Sequence, residues 1–319
     1  VVLATVLLVA TGRQALADWQ VHRQGGQALL EGAERALREQ PDDDAIARRL
    51  VRIAGDKERR ALVARFRART QGGGYAALAG YARLLLATGD ARGAAAAFAE
   101  ALRAEPGAVP SLVGRARALA AAGAGDEAIA AYDEALRAEH RPPARRRLIE
   151  DELAILAGRG SEADAISAGG ADPARAAARG REPDATADRT RAALARTVEL
   201  RRELCGLDPD RDGAAARLAD ALERAGRPLD AAAALEARLG PDPAAGKLPL
   251  ALRAARLRIA AGSEADAAPM ALRLAEMAQK LPAGDAERRR EVWSVALLAA
   301  RRAGTMSALA TELARSGDR

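Results

Sequence analysis

The chain has 319 residues, 49% of them hydrophobic but only 2% aromatic, with 87 alanines and no asparagine. Its 50 basic and 44 acidic residues leave a net charge of +6, and 47 of the basic residues are arginine. This composition excludes a disulfide scaffold, because Cys205 stands alone. It also argues against a sheet protein, because Val and Ile are sparse after the first ten residues and no long apolar/polar alternation occurs. Alanine is the strongest helix former and lets helices approach closely, so an all-α fold is expected. The two charge signs are interspersed, as in "ALERAGRPLDAAAALEARL", which is the pattern of a solvated helix surface.

Residues 1–10, "VVLATVLLVA", form a short apolar run, and Ala15-Leu16-Ala17 places small residues at both specificity positions before Asp18. This reads as a secretory signal peptide over 1–17, with a mature chain from Asp18, and predicts export to the periplasm or cell envelope. The run is too short to span a bilayer, so no transmembrane segment is expected in the mature chain. An ordinary buried helix is the alternative reading, because no basic leader precedes the run.

From Trp19 onward, helical stretches alternate with short breakers. "WQVHRQGGQALLEGAERALREQ" ends at Pro41, and Asp42–Asp44 supply acidic caps for "AIARRLVRIAG". "DKERRALVARFRART" then runs to Gly72-Gly73-Gly74. The next stretch, 75–106, carries Leu78, Tyr81, Ala82 and Leu85 on one helical face, turns at Gly89-Asp90, and continues through Ala94, Phe98, Ala101 and Leu102 to Pro106.

A step of 34 residues maps this unit onto the following one, 109–142. Phe98 goes to Tyr132, Ala94 to Ala128, Gly89 to Gly123 and Arg103-Ala104-Glu105 to Arg137-Ala138-Glu139. A fixed period of this size marks stacked repeats. A weaker copy places Ala219, Leu222, Gly226, Ala231 and Pro243 at the same offsets with Leu235 for the aromatic. Another keeps Gly262 and Ala267 with Ala271 in that slot. Degenerate pairs are expected over 142–168 and 285–316. Residues 158–183, with five glycines and two prolines, interrupt the regularity, and 169–183 is the expected loop or hinge between an N-terminal array, 18–168, and a C-terminal array, 184–319.

The order Ala94, Phe98, Ala101, Pro106 resembles the tetratricopeptide repeat family, in which a small residue opens the second helix, an aromatic follows one turn later, and proline ends the unit. Leu78 and Ala82 stand where the family prefers Trp and Gly, and His140 replaces the closing proline of the second copy. The resemblance implies an α-α superhelix of antiparallel helix pairs. It also implies a function in holding protein or peptide partners, with the first helix of each pair lining the concave face.

Residues suited to chemistry are few. His22 and His140 have neither metal spacing nor an evident partner, Cys205 reads as a small core residue near a helix end, and no G-x-S-x-G or phosphate loop is present. Asp208, Asp210 and Asp212 superficially match a calcium loop but lack its glycine and closing acid. Arg145–Arg147 and Arg288–Arg290 have no interleaved aromatics and are followed by acids, so nucleic acid is not expected. No cofactor, metal or catalytic residue is therefore expected. Arg83 and Arg117, again 34 apart on first helices, together with Arg253 and Arg256, are the candidate partner-binding residues, able to grip carboxylates by paired hydrogen bonds. The resulting expectation is a non-catalytic interaction scaffold. The alternatives are an accessory or regulatory repeat region of a larger enzyme or envelope complex, and a glycan-binding module, which the scarcity of aromatics disfavours. Neither the partner nor the oligomeric state follows from the sequence.

Overall fold

The computed structural model describes residues 27–168, 183–240, 245–262, 264–282 and 284–317. The expected signal peptide, and the expected hinge up to its last residue Pro183, lie outside them. Among the described residues there are helices and no strand. Two compact units divide at Leu148/Ile149.

The first unit begins with helix α1, described over 27–39. It continues with α2 (Asp44–Arg69), α3 (Tyr75–Thr88), α4 (Ala91–Ala104), α5 (Val109–Ala121) and α6 (Gly125–Ala138). Gly55 interrupts α2 with φ 59 and ψ −175, so α2 is itself a helix pair. Residues with a side chain are strained in this region, and glycine is not. Gly55, Gly89 and Gly123 have φ of 59, 91 and 77 and stand 34 residues apart, so the repeat extends one unit further upstream than the aromatic pattern reveals.

The turns share their hydrogen bonding. At Gly89 the Asp90 N–H reaches Leu85 O at 3.0 Å and the Gly89 N–H reaches Leu86 O at 3.1 Å. At Gly123 the corresponding bonds run from Ala124 to Leu119 and from Gly123 to Ala120. This double bond to the last turn satisfies carbonyls that the helix end leaves free and fixes the reversal between paired helices. Asp90 then caps α4, its carboxylate accepting from the Gly93 N–H at 2.9 Å.

The spine of this unit consists of small residues with a few large ones. Ala94 and Ala128 are fully buried in the same slot of α4 and α6, and Phe98 and Tyr132 are 0% and 2% exposed. Phe98 packs onto Gly114 of the next pair, where an added Cβ would meet Cζ of the ring at 2.3 Å. The aromatic thus fills the space between successive units. Upstream, Phe66 and Leu62 of α2 do the same with Leu37, Leu50 and Leu84.

Helix α7 (Pro142–Ala168) is a single helix where a degenerate pair is expected. The 34-residue step from Gly123 arrives at Ala157, which lacks the conformational freedom of the earlier turn glycines. The second unit then contains α8 (Pro183–Leu207), α9 (Arg211–Arg224), α10 (Pro228–Glu236), α11 (Leu248–Ala260), α12 (Glu264–Gln279), α13 (Ala286–Arg302) and α14 (Met306–Gly317). Gly226, Gly262 and Gly304 make its left-handed turns, with φ of 70, 72 and 66. One continuous apolar cluster runs from Val198 through Leu222, Leu235, Leu252 and Leu274 to Val295. Ala231 keeps the small slot at 0% exposure, and Leu235, in the aromatic position, is also fully buried.

Candidate functional site

The first helices of the three upstream pairs place Arg49, Arg83 and Arg117 at one register, 34 residues apart. Their environments differ. Arg49 is exposed and makes no ion pair among the described residues. Arg83 is 3% exposed. Its Nη1 lies 3.2 Å from Asp42 Oδ1 and its Nε 3.1 Å from Asp44 Oδ1. Its Nη2 donates to Pro110 O at 3.0 Å, and the guanidinium stands 5.3 Å from the centre of the Phe98 ring. Arg117 is half-exposed, with Nη1 3.0 Å from the other Asp44 oxygen.

Asp42 and Asp44 therefore occupy the two arginines expected to face a partner. Tyr75 completes the cluster, donating to Asp42 Oδ1 at 2.8 Å and accepting from Ser111 Oγ at 3.1 Å. Burial pushes the Tyr75 phenol up to about 12; the Ser111 hydrogen bond works against this, and the Asp42 carboxylate adds to it. The phenol thus stays protonated and acts as a donor at physiological pH. The periodic pattern indicates which arginines are equivalent. It could not indicate this cluster, because Asp42 and Asp44 have no acidic counterpart one repeat on, where Ala76 and Leu78 stand.

In the second unit, the Arg253 guanidinium holds Asp220 and Glu223 of α9 together, with Nε 3.1 Å from Glu223 Oε1. Burial lowers its pKa, but the Glu223 and Asp220 hydrogen bonds outweigh that and raise it. Arg256 Nη2 donates to Glu291 Oε1 of α13 at 2.7 Å. These arginines join the first helix of one pair to that of a neighbouring pair. Arg201 behaves differently: it is half-buried without an ion pair among the described residues, and burial together with Arg217 and Arg224 lowers its pKa. Nothing in its local sequence separates it from the other arginines.

The remaining candidates have structural partners. Asp208 pairs with Arg217 at 2.7 Å, Asp210 caps α9 by accepting from the Gly213 N–H at 2.9 Å, and Asp212 lies 3.3 Å from Arg238. The Cys205 thiol is half-buried against the apolar cluster, and burial raises its pKa despite nearby Arg238 and Arg217, which favours the unreactive thiol form. His140 is exposed, and His22 lies outside the described residues. From the two arginine runs, Arg145 donates to Leu136 O and Glu139 O, and Arg289 donates to Leu281 O at 2.6 Å and Pro282 O at 2.8 Å. Arg145 closes C-terminal carbonyls of α6, where a cation also suits the dipole, and Arg289 ties α13 to the loop that follows α12.

Residues 85–151 match the tetratricopeptide repeat family model. The matched stretch starts in α3 and takes in α4, α5 and α6, the pairs whose glycine turns and buried aromatics are described above. The array is tetratricopeptide-like. Solved structures similar to it include YrrB, described as a tetratricopeptide protein with an unusual peptide-binding site. YrrB shares 13% identity over 78% of this chain and 97% of its own, with a TM-score of 0.36. A Naa15/Naa10 structure bound to HypK-THB matches at 17% identity over 86% of this chain and 37% of its own, with a TM-score of 0.47. A tetratricopeptide protein from Parabacteroides merdae matches at 16% identity over 86% and 99%, with a TM-score of 0.28. No curated protein matches the chain. No helix among the described residues is long and apolar enough to cross a membrane.

Proposed function

We propose that this tetratricopeptide-like chain is a non-catalytic interaction scaffold of the bacterial cell envelope. It takes an extended peptide or a helix of a partner protein along the face lined by the first helices. The observation that carries this is the shared register of Arg49, Arg83 and Arg117 on those helices. Within it, Arg83 is a buried strut, and the accessible cations are Arg49 and Arg117. A partner carboxylate would meet Arg117 beside Asp44, and in the second unit Arg253 and Arg256 offer partly exposed guanidiniums, both on α11. Envelope location rests on the apolar run 1–10 and the Ala15-Leu16-Ala17 sequence before Asp18.

Crosslinking in intact cells, followed by identification of the captured protein, tests the scaffold reading. The double variant Arg49→Glu/Arg117→Glu, with parental circular dichroism, is expected to lose the captured partner. Undiminished capture of the same partner by the folded variant rejects this face. Cell fractionation and N-terminal sequencing test export: a cytoplasmic chain retaining residues 1–17 rejects it.

A further inference from the structure

Arg201 is half-buried on α8 and makes no ion pair among the described residues. Its own helix offers no carboxylate one turn away, where Thr197, Val198, Leu204 and Cys205 stand. The charges that act on it come from α9: Arg217 and Arg224 repel it, and Asp220 attracts it. Burying a charge without a partner is costly, so a half-buried guanidinium facing two others points to a missing acceptor.

The nearby acids are already engaged. Asp208 lies 2.7 Å from Arg217 and Asp210 3.9 Å from it. Asp220 and Glu223 are both held by Arg253 of α11. Arg224 is exposed, and its Nε donates to the Asp220 carbonyl of its own helix at 3.3 Å. Two carboxylates thus go to Arg217 and two to Arg253, and among the described residues none pairs with Arg201 or Arg224.

Helix geometry brings these two cations together. Asp208, Pro209 and Asp210 join α8 to α9, so the helices run antiparallel, and counting from that loop sets Arg201 level with Arg217. Arg217 and Arg224, seven residues apart, share one face of α9 with Asp220 between them. Side chains lean toward the N-terminus of their own helix. Arg201 and Arg224 therefore lean toward a common level, that of Asp220, whereas Arg217 leans the other way, onto Asp208.

We propose that Arg201 and Arg224 form a binding site for a phosphate group. Two guanidinium forks present more donors than one carboxylate can accept, whereas a phosphate brings three acceptor oxygens and about two negative charges. Arg224 leaves the site open to solvent, and Arg201 forms its inner wall, where a lower local dielectric strengthens the contact. Phosphate is the shared chemistry, whether as the free ion or as a monoester. The site stands apart from the register of Arg49, Arg83 and Arg117 and does not depend on what that face holds.

Isothermal titration of the full chain with inorganic phosphate, O-phosphoserine and acetate, at matched ionic strength, tests the site. Phosphate is expected to bind at least about tenfold more tightly than acetate. Tighter binding of O-phosphoserine than of inorganic phosphate assigns the site to an ester, and the reverse or equality assigns it to the free ion. Arg201→Met and Arg224→Met, with parental circular dichroism, are each expected to weaken phosphate binding by at least about tenfold. Arg202→Met, which removes the exposed neighbouring charge, is expected to leave it unchanged. In thermal melts, phosphate is expected to raise the melting temperature of the parent and not that of Arg201→Met. No binding of either phosphate, equal affinity for acetate, undiminished binding by folded Arg201→Met or Arg224→Met, or an equal loss with Arg202→Met overturns the proposal.

Discussion

The ring of Phe98 rests on the backbone of Gly114 so closely that a Cβ at Gly114 would lie 2.3 Å from Cζ and 2.4 Å from Cε1. The ring is fully buried and cannot swing into solvent. Gly114→Ala is therefore expected to destabilise the chain by about 1–3 kcal/mol through overpacking. Phe98→Ala is expected to cost about 3–5 kcal/mol by emptying the site. Adding Gly114→Ala to Phe98→Ala should cost little more, because the clash has gone, and chemical denaturation of the four proteins measures that coupling. Strictly additive losses would mean the two residues do not meet.

Glu152 is fully buried and receives the Arg196 guanidinium at 2.8 and 3.2 Å. Removing one member strands the other, so Arg196→Ala is expected to cost about 3 kcal/mol or more, whereas an apolar replacement of both is expected to cost much less. Equal losses for Arg196→Ala and Glu152→Met/Arg196→Met in thermal melts would reject this account.

The Glu139 carboxyl is held at about 2 by the Arg141 side chain, against the effect of burial and with help from the Arg141 and His140 backbone. Its folded pKa is thus below the ordinary value of 4.5, and its contribution is complete above that pH and lost as pH falls through about 2. Glu139→Gln should lower the melting temperature by a constant amount near neutrality, with the gap closing in acid. A gap that stays constant throughout the acid range would remove this linkage.

Arg83 has two carboxylates, a carbonyl and an aromatic ring around it. Asp42→Asn/Asp44→Asn leaves that buried cation without a counter-charge and is expected to destabilise more than Arg117→Gln, which removes an exposed partner. The difference should be about 1–3 kcal/mol in urea titrations. Equal effects would place Arg83 in water.

Periodicity made much of this fold legible. Gly89 and Gly123, with Phe98 and Tyr132, reveal two helix pairs because turn and filler recur together. Gly55 also breaks its helix with a positive φ, though with ψ −175 where Gly89 has ψ 1. Its pair is hidden: the 34-residue step back from Phe98 reaches Ala64, while the buried ring is Phe66. The step forward fails differently, since Ala157 cannot readily take the glycine conformation and α7 continues. The candidate site was legible only in part. Repeat arithmetic identifies equivalent positions, and Arg83 and Arg117 are equivalent. Whether an arginine faces solvent depends on which acids come within reach, and Asp42 and Asp44 reach Arg83 from a neighbouring pair.

Asp44 has a further consequence. Repeat arrays ordinarily share energy only between adjacent units and can fray one at a time. Asp44, in the first of three consecutive pairs, joins Arg83 in the second and Arg117 in the third, spanning 73 residues of chain. One carboxylate thus links next-nearest neighbours. The first of these three pairs cannot peel away without releasing a charge in the middle of the block, so amide exchange across α2, α3 and α5 should report a single opening event in place of graded unravelling.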